Sequence, residues 1–450
     1  MRKNIFVKLF AILCIFVVLA VVLKYQLRDQ DDGVINSSNV ASEKNVDMSN
    51  GISNALVDHA DITIKKVDGM SSDFIRGLDL SEVIAQEKSG VRYFDQNGME
   101  KDIFQIVSES GINCIKVRVW KDPYDKQHRS YGGGNCDLDN AVTIAKRSSR
   151  YGLKLMVMIA YSDFYTSDGL QRVPKSWGKM DFKTKEKAVA AYTTQVLEKI
   201  QKAGGLIGLI QIGNETNEQF IGEKSPKRIA KLLKTASNAA DEFTKKHHSK
   251  AKIVMDFANP EDQNLSEYAE LLHENDVPYD IFATTYYACW NGTLKNLTRQ
   301  LKEISEGYDK EVMVAETSYP YTLLDSDGMP NSIDNKDVLV KGYAASPQGQ
   351  GKMIRDVIDA VVKCGNGGVG VVYADAAWIT VGNDYNTNPA IWEQFGSGWK
   401  SQYAASYDKS IEAVTEGSDV DNEALFDRRG KVLPTINAFA YAYSGSVKDK

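Results

Sequence analysis

The chain has 450 residues, 43% of them apolar and 25% charged, with a formal net charge of -6. Binding a polyanion needs clustered Lys and Arg to displace counterions, and no long basic stripe interrupts this sequence, so nucleic acid is excluded as a partner. The length allows a single large domain, because α/β barrels use well over ~200 residues around one core.

Residues 1–26 form the first element. Arg2 and Lys3 precede an apolar run from Ile5 to Leu23, broken only by Lys8 and followed by Lys24. This is the pattern of an export or membrane-anchoring segment. Ala20-Val21-Val22-Leu23 offers no small-x-small cleavage site, and Leu13 stands before Cys14 where a lipid-attachment box has a small residue. The reading therefore favours an uncleaved anchor over a removed signal. The cationic start keeps the N-terminus cytoplasmic, so the body is expected outside the cell, secreted or held at the surface, with the membrane as a partner.

Residues 27–72 are polar and read as a linker, with Ile62-Thr63-Ile64 a weak strand candidate. From 73 to 445, apolar β-prone runs alternate with amphipathic stretches, the pattern of repeated βα units. Eight runs are predicted as strands: 75–80, 114–120, 153–160, 207–213, 252–257, 281–287, 311–316 and 368–373. Helices are expected over 102–110, 138–151, 185–202, 226–246 and 348–363, with Gly111, Gly152 and Gly365 as stops. Eight such units predict an α/β fold of the (β/α)8 TIM-barrel class, and no GxGxxG loop follows the first strand to favour a dinucleotide fold. The cysteines show no CxxC spacing, and Cys114, Cys289 and Cys364 read as small buried hydrophobes.

Barrel active sites sit at the C-terminal ends of the strands, so the polar residues closing each run are the informative ones. Run four closes as Gln211-Ile212-Gly213-Asn214-Glu215 and run seven as Val314-Ala315-Glu316-Thr317. One glutamate at a strand end is as easily a solvated residue, but two that face one another across a barrel suit glycoside hydrolysis. That reaction needs a pair of carboxyl groups on one sugar ring, about 5–5.5 Å apart for retention. Arg118, inside the apolar run Val117-Arg118-Val119-Trp120, needs a carboxylate partner and is expected to hydrogen-bond the nucleophile. Asn214 is a candidate for holding a sugar hydroxyl. Tyr286, Tyr287 and Trp290 are candidates for a nucleophile contact and an aromatic platform. In the loop after run seven, Asp325-Ser326-Asp327-Gly328-Met329-Pro330-Asn331 alternates oxygen donors around a glycine turn, which suits a structural Ca²⁺ as well as a plain Asp/Gly turn.

These residues resemble glycoside hydrolase family 53, the arabinogalactan endo-β-1,4-galactanases, over about Phe74 to Phe439. The markers include Arg76-Gly77-Leu78-Asp79-Leu80-Ser81, Val117-Arg118-Val119-Trp120, Tyr131-Gly132-Gly133-Gly134-Asn135, Tyr161-Ser162-Asp163-Phe164, Gly213-Asn214-Glu215 and Ala315-Glu316-Thr317-Ser318-Tyr319-Pro320. The resemblance implies a retaining endo-galactanase with no cofactor for catalysis, Glu215 as acid/base, Glu316 as nucleophile and β-1,4-galactan as the partner. It also implies a calcium loop at Asp325, Asp327, Met329 (through its backbone) and Asn331. Departures fall around the sugar: Ala160 replaces a His, Ala374 replaces a Trp, Tyr165 replaces a Trp and Asn291 replaces a His. Trp378 remains as a substrate-binding candidate in that last segment. Two other readings stay open, a relative acting on another β-linked glycan and a surface protein that binds glycan without cutting it.

Overall fold

A computed structural model describes residues 62–382 and 384–446. The anchor segment and most of the predicted linker lie outside these residues. Among the described residues no helix is long and apolar enough to cross a membrane.

Eight strands, β1 (Ile75–Asp79), β2 (Cys114–Val119), β3 (Lys154–Ile159), β4 (Ile207–Ile212), β5 (Lys252–Ala258), β6 (Ile281–Thr285), β7 (Glu311–Thr317) and β8 (Gly368–Tyr373), close in sequence order into a parallel barrel, β8 pairing with β1. Helices Leu138–Ser148, Phe182–Lys202, Pro226–Lys246, Leu294–Tyr308 and Pro347–Val362 pack outside. Asp137, Asp181, Thr293 and Ser346 cap four of them by accepting a backbone N–H, which fixes where the chain turns from loop to helix. The predicted (β/α)8 class is the observed one. β6 ends two residues earlier than expected, because the amide of Tyr287 bonds the Asn291 side chain at 2.8 Å and turns the chain away.

Period-2 alternation sets two cores. Ile115, Val117 and Val119 of β2 pack outward against the helices, while Cys114 points inward with Met156, Leu209, Val254, Ile281, Met313 and Val372.

The linker boundary at residue 72 needs correction. Ile62, Ile64, Val67 and Met70 are buried in the outer core, and the Gln348 side chain brackets Thr63, accepting its N–H at 2.7 Å and donating to its carbonyl at 2.9 Å. Ile64 also exchanges backbone and side-chain hydrogen bonds with Ser446. This stretch makes no strand. Polar composition concealed it because its four apolar residues stand among polar ones at spacings that mix strand and helix periods.

Candidate active site

Toward the C-terminal ends of the strands the inward-facing set changes from apolar to polar. Two residues past Cys114 comes Lys116; past Leu209, Gln211; past Val254, Asp256; past Ala283, Thr285. All are buried. A buried charge is costly unless it is paired and hydrogen-bonded. Lys116 meets that requirement by donating its Nζ to Glu316 Oε1 at 2.6 Å and to the Ala315 carbonyl at 3.3 Å.

Glu316 reaches the cavity through an irregularity in β7. Thr284 pairs with Val314 and Thr285 with Glu316, leaving Ala315 as an extra residue. Ala315 packs inward, so strict alternation would send Glu316 out toward the helices; the bulge re-aims it inward. Its second oxygen, Oε2, accepts the Tyr287 hydroxyl at 3.3 Å.

Glu215 follows β4 in a left-handed turn, with φ of 71° at Gly213 and 50° at Glu215. For a side-chain residue this costs about 1–2 kcal/mol, so neighbouring bonds must hold it. Its N–H donates to Asp256 Oδ2 at 3.2 Å, and its Oε2 accepts the amide of Asp168 at 3.0 Å. Burial, reinforced by the negative charges of Glu316 and Asp256, pushes the Glu215 carboxyl up to about 8. Asn214 beside it accepts from Gln211 Nε2 at 3.2 Å and lines the same cavity. β4 and β7 do not face one another across the barrel as expected. β5 and β6 stand between them, and Asp256 and Thr285 fill the space.

Both glutamates open onto one cavity of about 410 Å³, lined also by Arg118, Tyr165, Tyr287, Asp375 and Trp399. A larger hollow of about 910 Å³ at the opposite mouth is lined by strand starts such as Cys114, Gly208 and Gly368. In barrels of this kind that end serves stability and carries no active site.

Three expectations are corrected. Arg118 does not contact Glu316; its Nη2 bonds Asp375 Oδ1 at 2.9 Å, with Glu82 at 3.5 Å and Asp79 at 3.7 Å around it. Lys116, two residues earlier on the same inward face, bonds Glu316 in its place. Tyr286 is fully buried, its hydroxyl donating to the Gly292 carbonyl at 2.8 Å, so it fixes the turn after β6 and does not touch sugar. Trp378 is fully buried too, donating Nε1 to the Ser397 carbonyl at 2.9 Å. Trp290 by contrast is 49% exposed, its ring 6.1 Å from that of Tyr287.

Trp399, which sequence reasoning passed over, supplies an aromatic wall. It stacks on Tyr165 with ring centres 4.2 Å apart and planes at 20°. Tyr165 in turn meets Trp120 edge-on at 4.9 Å. Gly133, at φ 61°, lies so close to these rings that a Cβ would sit 2.5 Å from Trp120 and 2.7 Å from the Tyr165 hydroxyl. Nothing in the local sequence around Trp399 marks it, since it arrives from the long loop after β8.

In the loop after β7, carboxylate oxygens of Asp325, Asp327 and Asp421 lie within 4.8 Å of one another. Both Asp421 oxygens and Asn331 Oδ1 are buried. Burial first, then neighbouring carboxylates, push Asp421 up to about 8 and Asp327 up to about 7. Buried, mutually repelling carboxylate oxygens are the donor set a hard divalent cation requires, so these residues fit Ca²⁺. Asp421 was invisible to the loop motif because it comes from a turn far along the chain. Met329, expected to serve through its backbone, donates its amide to Asp327 Oδ1 at 2.7 Å.

Residues 75–439 match the sequence pattern described as "Glycosyl hydrolase family 53". The chain belongs to that family. Family 53 relatives include an endo-β-1,4-galactanase of Bacillus subtilis (strain 168), 43% identical over 87% of this chain and 91% of the relative. An arabinogalactan endo-β-1,4-galactanase of Cellvibrio japonicus is 32% identical over 69% of this chain and 82% of its own length. Among solved structures, a family 53 catalytic domain from Ignisphaera aggregans superposes with a TM-score of 0.75 at 34% identity, covering 85% of this chain and 99% of that one. This family 53 enzyme is therefore a glycoside hydrolase.

Proposed function

We propose that the enzyme cuts β-1,4-galactosidic bonds within galactan chains, with net retention, Glu215 acting as acid/base and Glu316 as nucleophile. The observation that carries this is the unlike treatment of two carboxyls in one cavity. Glu316 is held by the ammonium of Lys116 at 2.6 Å, whereas Glu215 is pushed up to about 8 and keeps its proton at neutral pH. In the first step the Glu215 proton passes to the glycosidic oxygen as the Glu316 carboxylate forms a bond to the anomeric carbon and the leaving sugar departs. In the second, Glu215, now ionised, takes a proton from water, which displaces Glu316 from the same carbon. Galactan names in the relatives and the matched length support the substrate. A glycan of this size must be met outside the cell, which accords with the export reading of residues 1–26.

Defined β-1,4-galacto-oligosaccharides followed by NMR should release the β-anomer first; initial release of the α-anomer would overturn the retaining mechanism. A second reading, activity on another β-linked glycan, draws on Ala160 and Ala374, which are both buried beside the cavity walls and offer no polar group to a sugar. A panel of plant polysaccharides separates the two readings, since only the first puts unsubstituted galactan ahead.

We also propose that Asp325, Asp327, Asp421 and Asn331 hold a structural Ca²⁺. Chelation should lower the melting temperature by several degrees, consistent with loss of a ligand bound well above its Kd. Asp421→Ala should remove the response to added Ca²⁺; an unchanged melt on chelation sinks the site.

A further inference from the structure

Asp256 stands on β5, fully buried, between the strand ends that carry Glu215 and Glu316. Its Oδ2 accepts the Glu215 N–H at 3.2 Å and Gln211 Nε2 at 3.4 Å, and its backbone carbonyl accepts the Thr216 N–H at 3.1 Å. β5 thus holds the turn after β4 through side chain and main chain together. That turn needs holding, because Glu215 is in the left-handed region at φ 50°, where an unbranched L-residue is strained. The other oxygen, Oδ1, is buried, and the Thr285 hydroxyl lies beside the carboxyl. Packed against Asp256 are Glu215 and Gln211 from β4 and its turn, Lys116 from β2, Thr285 from β6 and Glu316 from β7. Glu316, Asp79 and Asp256 all act on the Lys116 ammonium.

We propose that Asp256 is a positioning residue for Glu215, fixing its backbone turn and acting on its carboxyl as a second negative charge beside Glu316. The proposal rests on the reading of Glu215 as acid/base. Asp256 has no surface open to the cavity, so it acts through Glu215 and not on the sugar. Burial raises Asp256 to about 6, with Lys116 opposing, so it is ionised at neutral pH. Beside the negative charges of Glu316 and Asp256, a further charge on Glu215 is disfavoured. The acid thereby keeps its proton where the reaction needs it.

Asp256→Asn in the full-length enzyme is the test, because Asn keeps the shape and an oxygen for the Glu215 amide while removing the charge. Removing a negative charge eases ionisation of Glu215, and a general acid works only while protonated. The alkaline limb of kcat/KM on a galacto-oligosaccharide should therefore move to lower pH by roughly one unit, with kcat at neutral pH down about 2-fold and KM little changed. An unmoved limb with unchanged kcat overturns the proposal. Should the variant fail to fold, a ¹³C-carboxyl NMR titration of the unaltered enzyme reads the same coupling. A buried aspartate whose titration displaces the Glu215 signal supports the proposal, and independent titration overturns it. Glu215→Gln distinguishes failure of the parent reading. On an aryl galactobioside with a good leaving group it should keep its first step, and losing that step as well would overturn the acid/base assignment itself. If Glu215→Gln keeps it and Asp256→Asn leaves the limb in place, only the role of Asp256 falls.

Discussion

Glu316→Gln is expected to lose turnover on the order of 10⁵-fold, because an amide cannot form the covalent glycosyl bond and the remaining groups leave only binding and electrostatics. Gln is a sharper test than Ala. It retains an oxygen for the Nζ of Lys116, which is fully buried and otherwise loses its closest counter-charge. Glu316→Ala should lose the same activity and also destabilise the fold, by at most about 3–5 kcal/mol, the cost of stranding one partner of a buried pair. Asp256 and Asp79 still face the ammonium and reduce that figure. With an activated aryl galactoside and azide, the Ala variant should form the α-galactosyl azide, since azide enters from the face Glu316 vacates. Residual hydrolysis within ~10-fold of the parent would move the nucleophile elsewhere.

Lys116→Met has the second-largest expected effect. The ammonium fixes Glu316 Oε1 at 2.6 Å, and Tyr287 alone, at 3.3 Å, remains to orient the carboxylate once the cation is gone. A nucleophile displaced by about an ångström costs roughly 10²-fold, so kcat should fall at least that far. KM should change little, because Lys116 has no exposed surface with which to touch sugar. The measurement is steady-state kinetics at a temperature where the variant is folded by circular dichroism. A kcat within a few-fold of the parent would make Lys116 a structural cation only.

Arg118 and Lys116 show how far residue patterns carry. Alternation in Cys114-Ile115-Lys116-Val117-Arg118-Val119 places both cations on the inward face, and an ion in an apolar strand demands a partner. Which carboxylate each finds depends on depth along the barrel, and depth depends on the stagger between strands. The larger-looking assignment, Arg118 to Glu316, fails for that reason. Asp256 carries the same signal, a lone charge in an apolar run. Tyr286 stands at a strand end and Trp378 matches the family pattern of the last segment, but chain direction after β6 and β8 buries both.

By itself the sequence determined the eight βα units, the family and the two glutamates, because hydrophobic period and strand-end position are local properties that survive without knowing what packs on what. Only the tertiary structure decided which cation holds Glu316, that a bulge at Ala315 turns that glutamate inward, that Asp256 stands under Glu215, and that Trp399 and Asp421 arrive from distant loops. Those are contacts between segments far apart in the chain, set by barrel stagger and loop path, and no local periodicity encodes them.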